Sequence, residues 1–242
     1  MRLDKFLVES GLGSRSQVKQ LLKKGQVWVN GAAVTSAKTQ IDERSDQIVV
    51  DGQTLVYEKF VYYLLNKPKG VISATEDDRH KTVLDLLDDT ARQKEVFPVG
   101  RLDVDTHGLL LLTNNGQLSH AMLSPKRHVA KVYQAQVAGL MDQADVERFA
   151  QGIELNDFTC QPAQLDILER DEGAKTSLVR ITLSEGKFHQ VKRMVLVCGK
   201  EVTDLQRLSM GPLHLDPSLE LGQWRRLTKE EMQSLEIFQV EL

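Results

Sequence analysis

GRLDVDTHGLLLLTNNG, residues 100–116, sets an Arg-Leu-Asp-Val-Asp turn shortly before four consecutive leucines. Leu109 to Leu112 are bounded by Gly108 on one side and by Asn114, Asn115 and Gly116 on the other. A short, wholly apolar run punctuated at both ends is the pattern of a strand buried on both faces. This strand anchors the fold, and Asp103 and Asp105 stand at its entrance beside Arg101. A carboxylate at the edge of an apolar core must be paired or hydrogen-bonded, and groups held there at such cost concentrate in functional sites.

Working outward, FVYYLLNKPKGVIS (60–73) reads as a buried strand, a Lys-Pro-Lys-Gly turn and a second strand, with TVLDLL (82–87) opening a helix. EVFPVGRLD (95–103) reads as a strand leading into the Asp103 turn, and GQLSHAMLS (116–124) as a helix. KVYQAQVAG, TCQPAQLDILER, TSLVRITLSEG and EVTDLQRLSMG are mostly strands, and KFHQVKRMVLVCG (187–199) is a helix. Many strands with irregularly interspersed helices predict an α+β fold with a mixed, largely antiparallel sheet.

The first residues follow a different pattern. Leu3, Phe6 and Leu7 fall at helical spacing before Gly11 and Gly13, and Ser14 with Gln17 forms a capping box ahead of a second helix that Gly25 ends. Asn30-Gly31 and Asp51-Gly52 each interrupt an alternating strand, the signature of a tight hairpin. The resulting αα/β unit is placed at residues 1–57, with the larger domain at 58–242. Arg15, Lys19 and Lys23 recur every fourth residue along the second helix, opposite its leucines.

The whole chain of 242 residues has a net charge of −3, but residues 1–40 alone carry +5, leaving −8 on the remainder. A basic end on an acidic body suits contact with a polyanion through that end. Cys160 and Cys198 stand far apart with no metal-ligand spacing, which predicts two buried free thiols. No apolar run approaches the roughly 20 residues that span a bilayer. The acidic residues near the start and the lack of an apolar leader core give the expectation of a cytoplasmic protein.

DVDTHG (103–108) admits three readings. The D-x-D-x-x-G spacing matches the start of a calcium loop, but leucines occupy the positions where ligands would follow. Two carboxylates on one face of an extended chain, roughly 7 Å apart, suit glycoside cleavage. The third reading is a turn that only caps and connects. Distant segments offer partners to a functional site: SEGKFHQVKRM (184–194) brings His189, Lys192 and Arg193 to the start of a helix, and SPKRHVAKVY (124–133) sets basic residues beside Tyr133, an aromatic able to stack on a base.

Taken together these segments resemble the pseudouridine synthases. GRLDVDTHGLLLLTNNG resembles their catalytic motif, NKPKGVIS (66–73) their first motif, KVY (131–133) their tyrosine motif and EGKFHQVKRM (185–194) their third motif. RLDKFL and SRSQVKQLLKKGQVWVNG, near the start, resemble an S4 RNA-binding domain. The form SEGKFHQVKRM is similar to the S4-bearing branch that modifies one uridine of 16S ribosomal RNA, uridine 516; a large-subunit enzyme of the same family and a non-catalytic ribosome-assembly protein are the alternatives.

The resemblance implies isomerisation of uridine to pseudouridine in ribosomal RNA, free or in a partly assembled particle, by a monomer needing no cofactor and no metal and meeting no membrane. It implies Asp103 as the essential carboxylate, Tyr133 against the uracil and Lys192 paired with Asp103. Lysine stands where many relatives carry arginine, which forks onto a carboxylate as lysine cannot. Arg101, Arg2, Arg15, Lys19, Lys23, Lys67, His189 and Arg193 are expected at the RNA. Covalent attack by Asp103 and elimination to a glycal are both compatible with these assignments.

Overall fold

The computed structural model describes residues 1–43, 45–55 and 57–242. They divide into two compact units, Met1–Val61 with Asp88–Glu95, and Tyr62–Leu87 with Val96–Leu242. Among the described residues no helix is long and apolar enough to cross a membrane.

The first unit opens with helix α1 (Leu3–Glu9) and helix α2 (Arg15–Lys23). The expected box caps α2: the Gln17 amide donates to Ser14 Oγ and the Ser14 amide to Gln17 Oε1. Strands β1 (Val27–Val29), β2 (Ala32–Ala33), β3 (Ile48–Val50) and β4 (Gln53–Leu55) form an antiparallel sheet in the order β2-β1-β3-β4. Asn30, Gly31, Asp51 and Gly52 all have φ between 49° and 82°, as two-residue hairpin turns of this type require. Leu3, Phe6, Leu7, Val18, Leu22, Val27 and Ile48 make the core.

The second unit is built on β5 (Tyr62–Lys67), β6 (Phe97–Pro98), β7 (His107–Thr113), β8 (Lys131–Ala138), β9 (Gln164–Asp171), β10 (Thr176–Leu183), β11 (Glu201–Met210), β12 (Leu213–His214) and β13 (Trp224–Arg226). They form one sheet in the order β13-β5-β7-β11-β8-β10-β9, with β12 on β11 and β6 on β7. Every pairing is antiparallel except β7 with β11. Helix α3 (Asp89–Gln93) groups with the first unit, while α4 (Gly116–Leu123), α5 (Gln143–Gln151), α6 (Gln190–Val197) and α7 (Lys229–Ser234) belong to the second. The mixed α+β architecture is the one expected.

The leucine run is the buried strand its composition predicted: Leu109 to Leu112 are at most 1 % exposed, flanked by β5 and β11. Burying four such side chains contributes roughly 1.5–3 kcal/mol each, which makes β7 a firm base for the turn before it. Gly108 permits the parallel pairing, since a Cβ there would lie 2.4 Å from the Arg207 carbonyl oxygen. Cys160 and Cys198 are free and buried.

Three expectations fail locally. The second strand after Lys67-Pro68-Lys69-Gly70 is an irregular segment with a single bridge, Ile72 to Thr82. Ile72 bonds to Lys81 and Val83, while Gly70 and Ser73 turn to the Asp103 segment, as described below. The strand over 95–103 shrinks to Phe97–Pro98, because Pro98 supplies no amide and Gly100 takes φ of 75°. TVLDLL forms a single 3₁₀ turn, Val83–Leu86, not an α-helix.

Candidate active site

The Asp103 turn is held from beneath. Lys67, at the end of β5, is fully buried, and its ammonium donates to the carbonyls of Pro68 (3.1 Å), Asp103 (3.0 Å) and Thr106 (2.9 Å). Gly70 donates its amide to Val104 at 2.7 Å. Ser73 Oγ donates to the Leu102 carbonyl and accepts from the Leu102 amide, at 2.9 and 3.0 Å. Thus 67–73 pins 102–106 at four residues. Burial pushes the Lys67 ammonium down to about 8, even though the Asp103 and Asp105 carboxylates oppose the shift.

This corrects the expectation that Lys67 meets RNA. All three of its donors are spent on backbone carbonyls in a site closed to solvent. A lysine in a Lys-Pro-Lys-Gly turn reads as exposed from sequence; the apolar strand it terminates draws it inward.

Above the turn, α6 supplies the partner. Lys192 Nζ lies 3.1 Å from Asp103 Oδ2 and 2.5 Å from Asp105 Oδ1, a cation shared by two carboxylates. Burial acts against the charge, but the hydrogen bonds to Asp105 and Asp103 outweigh it and raise the Lys192 ammonium above its ordinary value. The same hydrogen bond lowers the Asp105 carboxyl. Both carboxylates turn toward an ammonium, so the turn is not arranged as a calcium loop.

His189 precedes α6 in the left-handed conformation (φ 50°), with Nε2 3.5 Å from Asp103 Oδ1. The Phe188 ring, 72 % exposed, stacks on the imidazole at 3.8 Å between centroids. Sequence reading passed over Phe188, although an aromatic next to His189 was the available signal.

These groups surround a cleft that opens to solvent. Asp103, Arg101, His189 and Lys192 border it, and Tyr133, Lys131 and Arg207 line it from the sheet. Tyr133 is buried on β8, opposite Arg207 of β11. The residues of four distant motifs, Asp103, Tyr133, His189 and Lys192, are therefore brought together.

Arg193 is not among them. Adjacent residues on a helix point about 100° apart, so Lys192 and Arg193 cannot both face the cavity. Arg193 instead forms an ion pair with Asp157 and lies over the Phe158 ring. The RNA contact expected of Arg193 is therefore not at this cavity.

In the first unit Arg2, Lys5, Arg15 and Lys19 line one shallow depression with Asp4, whose carboxylate pairs with Arg2 at 2.7 Å. Lys5 was missed in the sequence, and Lys23, expected beside Arg15 and Lys19, lies outside the depression at the last turn of α2.

Comparison with known proteins gives the family. The family model described as RNA pseudouridylate synthase matches residues 61–196, and the S4 domain model matches residues 1–48. An uncharacterized RNA pseudouridine synthase of Bacillus subtilis, YtzG, is 44 % identical over 97 % of this chain and 98 % of its own length. The ribosomal large subunit pseudouridine synthase B of Bacillus subtilis is 38 % identical, covering 97 % of this chain and 95 % of that protein. The ribosomal small subunit pseudouridine synthase A of Yersinia pestis is also 38 % identical, covering 97 % and 98 % respectively. With a family model matched over more than half its length and relatives aligned along nearly all of it, the chain belongs to the RNA pseudouridine synthase family and carries an S4 domain at its N-terminal end.

Proposed function

We propose that the protein converts a uridine of small-subunit ribosomal RNA to pseudouridine, with Asp103 as the reacting carboxylate. The observation that carries this reading is the placement of the Asp103 carboxylate at a cleft lined by Tyr133, on a backbone clamped by Lys67 and against the Lys192 ammonium. Isomerisation breaks the N1–C1′ bond of uridine, turns the uracil and rejoins it through C5. It needs a carboxylate fixed near the ribose and a space in which the freed base can rotate. A clamped turn holds such a group near its reactive geometry without spending binding energy to order it.

The target uridine leaves its stack at a cost of a few kcal/mol. Tyr133 meets the uracil inside the cavity, where stacking on a base contributes about 1–3 kcal/mol. Arg101, exposed at the rim, takes the adjoining phosphate or fills the vacated space. His189 faces the ribose beside Asp103. In the first unit Arg2, Lys5, Arg15 and Lys19 hold backbone phosphates, with Lys23 extending the track, and their contribution weakens with salt. Residues 1–57 then serve as the RNA-holding part and 58–242 as the chemical part.

The small-subunit target, uridine 516, is supported by the form of the 184–194 segment. The large-subunit relative from Bacillus subtilis is equal in identity to the small-subunit one and gives the second reading. Incubation with 16S and 23S transcripts or precursor particles, each tritiated at uridine C5, separates them. Release from 16S RNA alone supports the proposal; release from 23S RNA alone replaces it with the large-subunit reading; release from neither, with intact RNA binding, replaces both with an assembly role.

A further inference from the structure

The sheet side of the cavity holds two buried cations that the roles above leave unused. Arg207, on β11, is 2 % exposed, and Lys131, on β8, is 7 % exposed; both line the cavity, Arg207 paired across the strands with Tyr133 and Lys131 two residues before it on β8. The Arg207 guanidinium donates from Nε to the Leu109 carbonyl at 2.9 Å, and its Nη2 has no hydrogen-bond partner among the described residues. Lys131 Nζ donates to the Val129 carbonyl at 3.0 Å. Burial, then the positive charge of Arg207, push the Lys131 ammonium down to about 8, with Glu185 opposing.

Two like charges side by side, with one guanidinium nitrogen unsatisfied, are expensive to bury. Buried charges kept under such conditions belong where a compensating charge arrives during function. The reaction proposed above generates one. When N1–C1′ breaks, both bonding electrons stay on N1 and spread over O2 and O4 of the uracil. C1′ either takes a new pair from an Asp103 oxygen or is relieved by loss of its C2′ proton to that carboxylate. After rotation, C5 supplies the pair for the bond to C1′. The Asp103 oxygen leaves as carboxylate, or C2′ regains its proton; the C5 proton passes to solvent and N1 takes one up, so that the product is an isomer of the substrate.

We infer that Arg207, with Lys131 beside it, is a catalytic cation for the departing base: its guanidinium binds a carbonyl oxygen of the uracil anion inside the cavity. This rests on the proposed isomerase activity. The neutral uracil of the bound substrate draws less on these cations than the anion does, so the pair stabilises the bond-breaking step more than binding.

The test varies the leaving group. Single-turnover conversion of RNA bearing either uridine or 5-fluorouridine at the target is followed by digestion and chromatography, for wild type, Arg207→Met and Arg207→Lys. Fluorine withdraws charge from the ring and makes its anion a better leaving group. The expected result is a loss of about 10²–10³-fold for Arg207→Met on uridine RNA, at least about ten-fold smaller on 5-fluorouridine RNA, with RNA affinity unchanged and Arg207→Lys intermediate. A deficit of equal size on both RNAs marks a structural role and overturns the inference, as does no deficit. Should Arg207→Met fail to fold, Lys131→Met carries the same comparison, with a smaller loss that is again relieved by fluorine. A wild type that converts neither RNA overturns the isomerase reading itself, an outcome distinct from the others.

Discussion

The Lys67 ammonium lies 3.0 Å from the carbonyl oxygen of Asp103 and 2.9 Å from that of Thr106, so one buried side chain closes both ends of the turn that presents the Asp103 carboxylate. Lys67→Met removes a donor from three carbonyls and strands those of Pro68 and Thr106, since the Asp103 carbonyl keeps the Thr106 amide. Each unsatisfied buried acceptor costs about 1–3 kcal/mol, so a stability loss of about 2 kcal/mol or more is expected in urea unfolding, together with a drop in kcat from the loosened turn. A variant within about 0.5 kcal/mol of wild type and fully active would remove the clamp from the account.

Lys192 touches both aspartates, and its shorter contact is to Asp105. Replacing it with methionine leaves two facing carboxylates without a cation and is expected to lower kcat by about 10²–10⁴-fold. Lys192→Arg keeps a charge that can reach both and is expected within about ten-fold of wild type. Asp105→Asn leaves the pair with Asp103 intact and is expected to cost less than about ten-fold. Steady-state kinetics on the three variants would expose the scheme as wrong if Asp105→Asn were the most damaging.

Lys67 and Lys131 both titrate near pH 8 in the folded protein, against an ordinary lysine value of 10.5. As pH rises through 8 the folded chain gives up these protons while the unfolded chain keeps them to about 10.5. The unfolded state then binds more protons, so these two groups make stability rise with pH across that window. Activity moves the opposite way, because a neutral Lys67 amine has two donors for three carbonyls and a neutral Lys131 no longer faces the base as a cation. Rate profiles should fall with an apparent midpoint near pH 8. Replacing Lys131 with methionine should flatten part of the accompanying rise in unfolding free energy; an unchanged pH slope would speak against the assignment.

Gly108 lies at φ 103°, and a methyl group there would sit 2.4 Å from the Arg207 carbonyl oxygen and 2.8 Å from its amide nitrogen. Combining backbone strain with overpacking, Gly108→Ala is expected to destabilise by about 3–5 kcal/mol in urea unfolding. A change below about 1 kcal/mol would mean that β7 and β11 can separate at little cost.

Features carried by local chemistry could be read directly from the sequence. The Ser14 to Gln17 box, the Asn30-Gly31 and Asp51-Gly52 turns and the Leu109 to Leu112 strand each depend on neighbours along the chain. Helix α5 had comparable signals, Asp142 and Asp145 as a capping box with Phe149 on its buried face, and was overlooked. Features decided by tertiary partners could not be read. Nothing in NKPKGVIS shows that Lys67 turns inward or that Ser73 binds Leu102, and nothing in QVKRM shows which of Lys192 and Arg193 faces the cavity. Arg207 was hidden within an alternating strand, where an arginine reads as solvent-facing until the parallel pairing with β7 buries it.

The central claim is that the Asp103 carboxylate performs the chemistry while the rest of the site positions it. Tritium release from RNA labelled at uridine C5, measured for wild type and Asp103→Asn with RNA affinity and thermal unfolding determined in parallel, tests it most directly. The account predicts release by wild type, and for Asp103→Asn unchanged folding and affinity with release below about a hundredth of wild type, since even ordinary general catalysis contributes 10²–10⁴-fold. Release by Asp103→Asn at more than that fraction would contradict it.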